Sequence, residues 1–188
     1  DGETRWRATH ALGRIGAGAS VASAKLVELT EDPHPKVRSS TLYALCNFGY
    51  DGEILYKISL DRLRKEADDD VLSQIVRTLK ACDCDPTPTA DALVERLASL
   101  KPVQVMPSMF ELLRRCRELS ANSITTLIRL LHDPDLHVGY RADIAEVLWL
   151  HLHNVDVVLP PLVAMLSHHE ALESACDAFC VLGPAAAG

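Results

Sequence analysis

The side chains able to do chemistry in this sequence are its histidines, its cysteines and a set of arginines and carboxylates. His151 and His153 are two positions apart, which on a helix turns them about 200° from each other, too far round to share one ion. His168, His169 and Glu170 flank a turn, and Asp133 lies in another. Cys82 and Cys84 stand in a turn beside Asp83 and Asp85. A zinc centre there would need two more ligands and a two-residue gap between the cysteines. Cys176 and Cys180 share one helix face, and the default for such a pair is core packing. Arg114, Arg115 and Arg117 read as a small solvated basic cluster. No Gly-rich phosphate loop, P-loop, Ser/His/Asp or Cys/His signature occurs. The histidines therefore read as structural or surface residues, and no catalytic residue, metal or cofactor is assigned.

The elements that would position these groups are helices. From Val37 to Gly49 the apolar positions Val37, Thr41, Leu42, Leu45 and Phe48 form one stripe at a period near 3.6. Asp32-Pro33 stops the helix before it, because proline lacks an N–H and disfavours helix for its predecessor. Gly49 ends it. The unit recurs at intervals of 31 to 35 residues: Arg5, Arg38, Leu72, Met106, Arg141 and Leu172 share one register, and Gly16, Gly49 and Gly183 another. Between these helices lie others at about Ser20–Glu31, Asp51–Glu66, Thr89–Leu100, Ala121–His132 and Asn154–Ser167, with Ser20, Asp51, Thr89, Ser120 and Asn154 as N-caps. Pro160 and Pro161 are expected in the first turns of the last of these, or to shorten or kink it.

Composition sets outer bounds. The 188 residues are 48% hydrophobic, 24% charged and only 5% aromatic, which suits a globular chain built by helix-on-helix packing. A formal charge of −7 argues against a general nucleic-acid binder, which wants a basic stripe. The six cysteines fall mostly on helix positions, so they read as reduced and mostly buried, and the expected home is cytoplasmic. No apolar run reaches 18 residues, so no membrane partner is expected, and no signal peptide is seen. Both ends read as cuts through a longer array: the chain opens on an unpaired helix, and LGPAAAG at its end mirrors IGAGAS, after which a further helix follows.

The stretches VRSSTLYALCNFG and TRWRATHALGRIG, with the Asp32-Pro33 and Asp133-Pro134 turns, resemble HEAT repeats of the short bacterial type named after phycobilisome lyases. The resemblance implies an all-α fold: an α-solenoid of about five and a half antiparallel helix pairs with right-handed superhelical stacking, one HEAT-like array over residues 1–188. It also implies a ladder in which Arg5, Arg38 and Arg141 pair with Asp32, Asp133 or helix carbonyls. Leu72 and Met106 stand where two of the ladder arginines would be. His169-Glu170 resembles one of the His-Glu pairs of deoxyhypusine hydroxylase, but that iron enzyme needs several pairs and this sequence has one.

In such arrays the second helix of each pair lines the concave side. With the apolar stripe inward, the outward residues are Trp6, Arg7, His10 and Arg14, then Ser39, Ser40, Tyr43 and Asn47, then Ser73, Gln74 and Arg77. Ser108, Glu111 and Arg115 follow, then Asp143 and Glu146, and finally Glu173, Ser174 and Asp177. Charge thus passes from basic and aromatic to acidic along the chain. The expected function is a non-enzymatic scaffold or adaptor that grips a protein or peptide on this face. The alternatives are a bilin lyase-like subunit and a relative of the HEAT-like alkylpurine DNA glycosylases; the acidic half opposes the second.

Overall fold

The computed structural model describes residues 1–99, 106–167 and 172–183, Ser174 by its backbone alone. The described residues are all-helical, without a strand among them. None of their helices is long and apolar enough to cross a membrane. The chain divides into two compact units, residues 1–84 and 85–188.

The first unit contains α1 (Gly2–Ile15), a 3-10 segment (Gly16–Ala22), α2 (Ser23–Leu29), α3 (Pro35–Asn47), α4 (Gly52–Lys65) and α5 (Asp69–Ala81). The helices that share the recurring register, α1, α3 and α5, pack side by side; α2 lies on α3 and α4 on α5. Their joint core is Val37, Leu42, Leu45, Leu63, Val71, Ile75 and Val76, each at most 1% exposed. Burying each such side chain contributes roughly 1.5–3 kcal/mol. Starts are fixed by side chains that accept from orphan N–H groups: Asp1 from Glu3, Asp51 from Ile54, Asp68 from Asp70 and Val71. Ser40, expected outward, is buried instead, because α1 covers that side of α3 and its hydroxyl meets that of Thr9. The expected helix over Ser20–Glu31 is shorter. Gly16-Ala17-Gly18-Ala19 lacks side chains to lock an α-helical start and winds as 3-10, so α2 begins at Ser23 without a side-chain cap.

The second unit contains a 3-10 turn (Thr87–Thr89), α6 (Ala90–Ser99), α7 (Met106–Arg115), α8 (Ala121–Leu131), α9 (Val138–Leu152), α10 (Val155–Met165) and α11 (Leu172–Leu182). α9 is central and touches α7, α8, α10 and α11; α6 lies against α7 and α8. Met106 and Leu72, at the positions in the recurring register that Arg5 and Arg38 hold elsewhere, are core residues at 1% and 2% exposure. Ser120 and Asn154 cap α8 and α10 as expected. Thr89 does not cap α6: it is buried, and its hydroxyl donates back to Pro86 O. Pro160 and Pro161 sit inside α10, as its sixth and seventh residues.

One glycine register carries a backbone requirement. Gly16, Gly49 and Gly183 all have positive φ, at 70°, 66° and 59°, a region that suits a residue without Cβ. Asp83 after α5 and His153 after α9 also have positive φ, at 34° and 48°, and His153 is in the left-handed conformation.

Candidate functional site: a charged cleft in the second unit

The ladder residues come first, because they fix the frame. Arg5 on α1 forks onto Asp32 (Nε–Oδ2 2.7 Å, Nη2–Oδ1 2.9 Å), and Asp32 also accepts from the N–H of His34 at 2.9 Å. The hydrogen bond from Arg5 holds the Asp32 carboxyl below the usual range. Arg38 on α3 makes the same fork, but onto Glu66 (2.9 and 2.6 Å), with a further bond to Asp32 O at 2.8 Å. Burial alone would raise the Glu66 carboxyl; Arg38, Arg62 and the N–H of Asp68 overcome it and bring it down to about 2. Arg141 donates to a helix carbonyl, Leu131 O, at 2.8 Å, while Asp133 accepts from the N–H of Asp135.

Of the outward residues in the first unit, Trp6, His10 and Tyr43 are brought together. His10 stands between Trp6 and Tyr43 at ring distances of 6.2 and 6.0 Å, and Lys36 Nζ lies 5.1 Å from the Trp6 ring centre. Arg7 is exposed and paired with Glu3. Asn47 and Gln74 are engaged within the fold, donating to Gly13 O and Thr78 Oγ1. Arg77 is exposed, as are Glu111 and Arg115 in the second unit. The rings therefore form a ridge whose cation partners are already close neighbours.

The second unit holds a concave site. Asp143 and Glu146, on successive turns of α9, both take Arg114 Nη2 of α7, at 2.5 and 2.7 Å. Arg114, read from sequence as solvated, is thus three-quarters buried between two carboxylates. Around them opens a cleft of about 910 Å³, completed by Asp135 and His137 before α9, Tyr140 within it, and Asp177 on α11. His137 caps α9 by accepting from the N–H of Gly139, and its ring lies 5.5 Å from that of Tyr140. Tyr140 backs onto Phe110 at 6.2 Å. Burial pushes the Asp143 carboxyl above its usual range in spite of Arg114, so this wall carries negative charge at a cost.

Among the described residues, four carboxylates and one guanidinium therefore line an aromatic-backed hollow. Residues 85–188 carry thirteen acidic and seven basic side chains, whereas residues 1–84 carry thirteen and twelve, so the second unit has most of the chain's formal charge of −7. The potential there favours a cation. Asp143, Glu146 and Asp177 were visible in the outward pattern; Arg114, Asp135, His137 and Tyr140 were not. One signal existed. Arg114 and Asp143 are 29 residues apart, close to the 27 and 28 of the two ladder forks.

The remaining candidates resolve simply. Both ring nitrogens of His151 face carbonyl oxygens, Val147 O at 2.8 Å and Cys116 O at 3.2 Å, while His153 ends α9. His168, His169 and Glu170 lie outside the described residues. Among the described residues no three of His, Cys, Asp and Glu gather as a metal site. The cysteines are free and less buried than expected: Cys116 is buried, Cys46, Cys82 and Cys84 are half-buried, and Cys176 and Cys180 are exposed. Ala175, Ala178 and Leu182 form the buried side of α11, which leaves the cysteine pair off it. Comparison with protein-family models, with curated proteins and with solved structures found no match to this chain.

Proposed function

We propose that the chain is an interaction module, not an enzyme, and that the cleft of its second unit receives a basic stretch of a protein or peptide partner. One observation carries this reading: among the described residues, four carboxylates, Tyr140 and one guanidinium converge on a hollow of about 910 Å³. A Lys or Arg side chain entering there would meet Asp135 and Asp177 and lie across the Tyr140 ring. Asp143 and Glu146 are held by Arg114, so they shape the wall and contribute field.

The same reading takes the helices of each unit as HEAT-like repeats and gives the chain a cytoplasmic home. What supports the repeats is the common register of α1, α3 and α5 and the packing of α9 against both α7 and α11.

A photo-crosslinking residue in place of Tyr140, with a second at Trp6 in a separate chain, tests the proposal in cells. Peptides captured from Tyr140 rich in Lys and Arg support it. Capture at Trp6 with none at Tyr140 contradicts it.

A further inference from the structure

Cys176 and Cys180 are one helical turn apart on α11, and both are exposed. Residues so spaced have Cβ atoms about 5–6 Å apart on one face, so two thiols can close on one ion without moving the backbone. Thiolates are soft ligands and select soft cations such as Cu(I). Among the described residues no third His, Cys, Asp or Glu groups with this pair. Zinc in a structural site needs four ligands and calcium six or more oxygens, whereas a two-coordinate d10 cation is satisfied by two sulfurs.

We propose that Cys176 and Cys180 form a two-thiolate site for a soft monovalent cation of the Cu(I) type. Binding forms two metal–sulfur bonds. Each thiol releases its proton to the buffer, and the metal keeps its oxidation state, so no oxidant or reductant takes part. Neither cysteine lines the acidic cleft, to which α11 contributes Asp177 and Ala178.

The other thiols are poor competitors. Burial pushes Cys46 above its ordinary value and brings Cys82 and Cys116 to about 12, which opposes the deprotonation that ligation requires. Cys84 is half-buried in a turn, with its sulfur 3.8 Å from Gly52 O.

The test is anaerobic titration of the reduced full chain with Cu(I) against a chromophoric Cu(I) chelator. The expected result is one equivalent withdrawn from the chelator, lost in Cys176→Ser and in Cys180→Ser and kept in Cys84→Ser. Both serine changes are at exposed positions, and circular dichroism checks that the helices remain. Binding that survives in the double variant C176S/C180S, no withdrawal by the parent chain, or one equivalent of Zn(II) held as tightly as Cu(I) would each overturn the proposal.

Discussion

Arg38 and Glu66 close a two-pronged ion pair between α3 and the turn before α5, with Nε to Oε2 at 2.9 Å and Nη2 to Oε1 at 2.6 Å. Glu66 simultaneously accepts from the N–H groups of Ala67 and Asp68 and from Arg62, whose other bond goes to Glu31. A single carboxylate, 1% exposed by its side chain, thus joins three elements. Changing Glu66→Gln leaves two guanidinium groups short of a charge in a buried place. The expected loss is about 3–5 kcal/mol, read from the urea midpoint of the full chain. Arg7→Ala removes an exposed pair and should cost about 1 kcal/mol or less.

The same carboxylate sets a pH dependence. Its folded value of about 2 lies below the ordinary 4.5, so the folded state holds the ionised form. The stability it contributes is complete above the ordinary value and is lost as pH falls through that value towards 2. Asp32, also lowered, acts with the same sign. Asp143 is raised, so its share runs the other way: present at low pH and lost as pH rises through its elevated value. Urea midpoints between pH 7 and pH 3 should be level at first and then fall, and the acid fall should be shallower in Glu66→Gln.

Asp83 follows α5 with a positive φ, as Gly49 does after α3. A side chain in that region costs about 1–2 kcal/mol per residue, less for Asp than for most. Asp83→Gly should therefore raise the melting temperature by an amount worth about 1 kcal/mol or less. Gly49→Ala, by contrast, should lower it, although open space surrounds the added Cβ. Equal effects from the two changes would contradict this reading of the turns.

The helices were legible because their apolar stripes, Asp-Pro stops and glycine stops are local. Val37, Leu42 and Leu45 are fully buried at the positions their spacing gave. The Arg38 partner was hidden because Glu66 is one methylene longer than the Asp32 it parallels and no proline follows it. Ser40 was misplaced since a single stripe does not tell which second side a neighbour will cover. Cys176 and Cys180 were misread for a related reason: sharing a face does not say that the face is packed. The cleft was only half visible. Asp143, Glu146 and Asp177 lie on helices and obey periodicity, but Asp135 and His137 come from a turn, and the partner of Arg114 depends on how α7 meets α9.

Binding of a basic peptide to the cleft is the claim on which the functional account stands. The most direct measurement is a fluorescence-anisotropy titration of a labelled Lys/Arg-rich peptide into the full chain, with an acidic peptide of equal length beside it. The substitutions for comparison are Asp135→Asn with Asp177→Asn, which leave the Arg114 pairs intact, and Arg77→Ala in the first unit. The account predicts saturable binding of the basic peptide, weakened by salt, about tenfold poorer in the Asn double variant, and unchanged in Arg77→Ala. Equal or tighter binding of the acidic peptide, or a double variant that binds the basic peptide as well as the parent chain does, would contradict it.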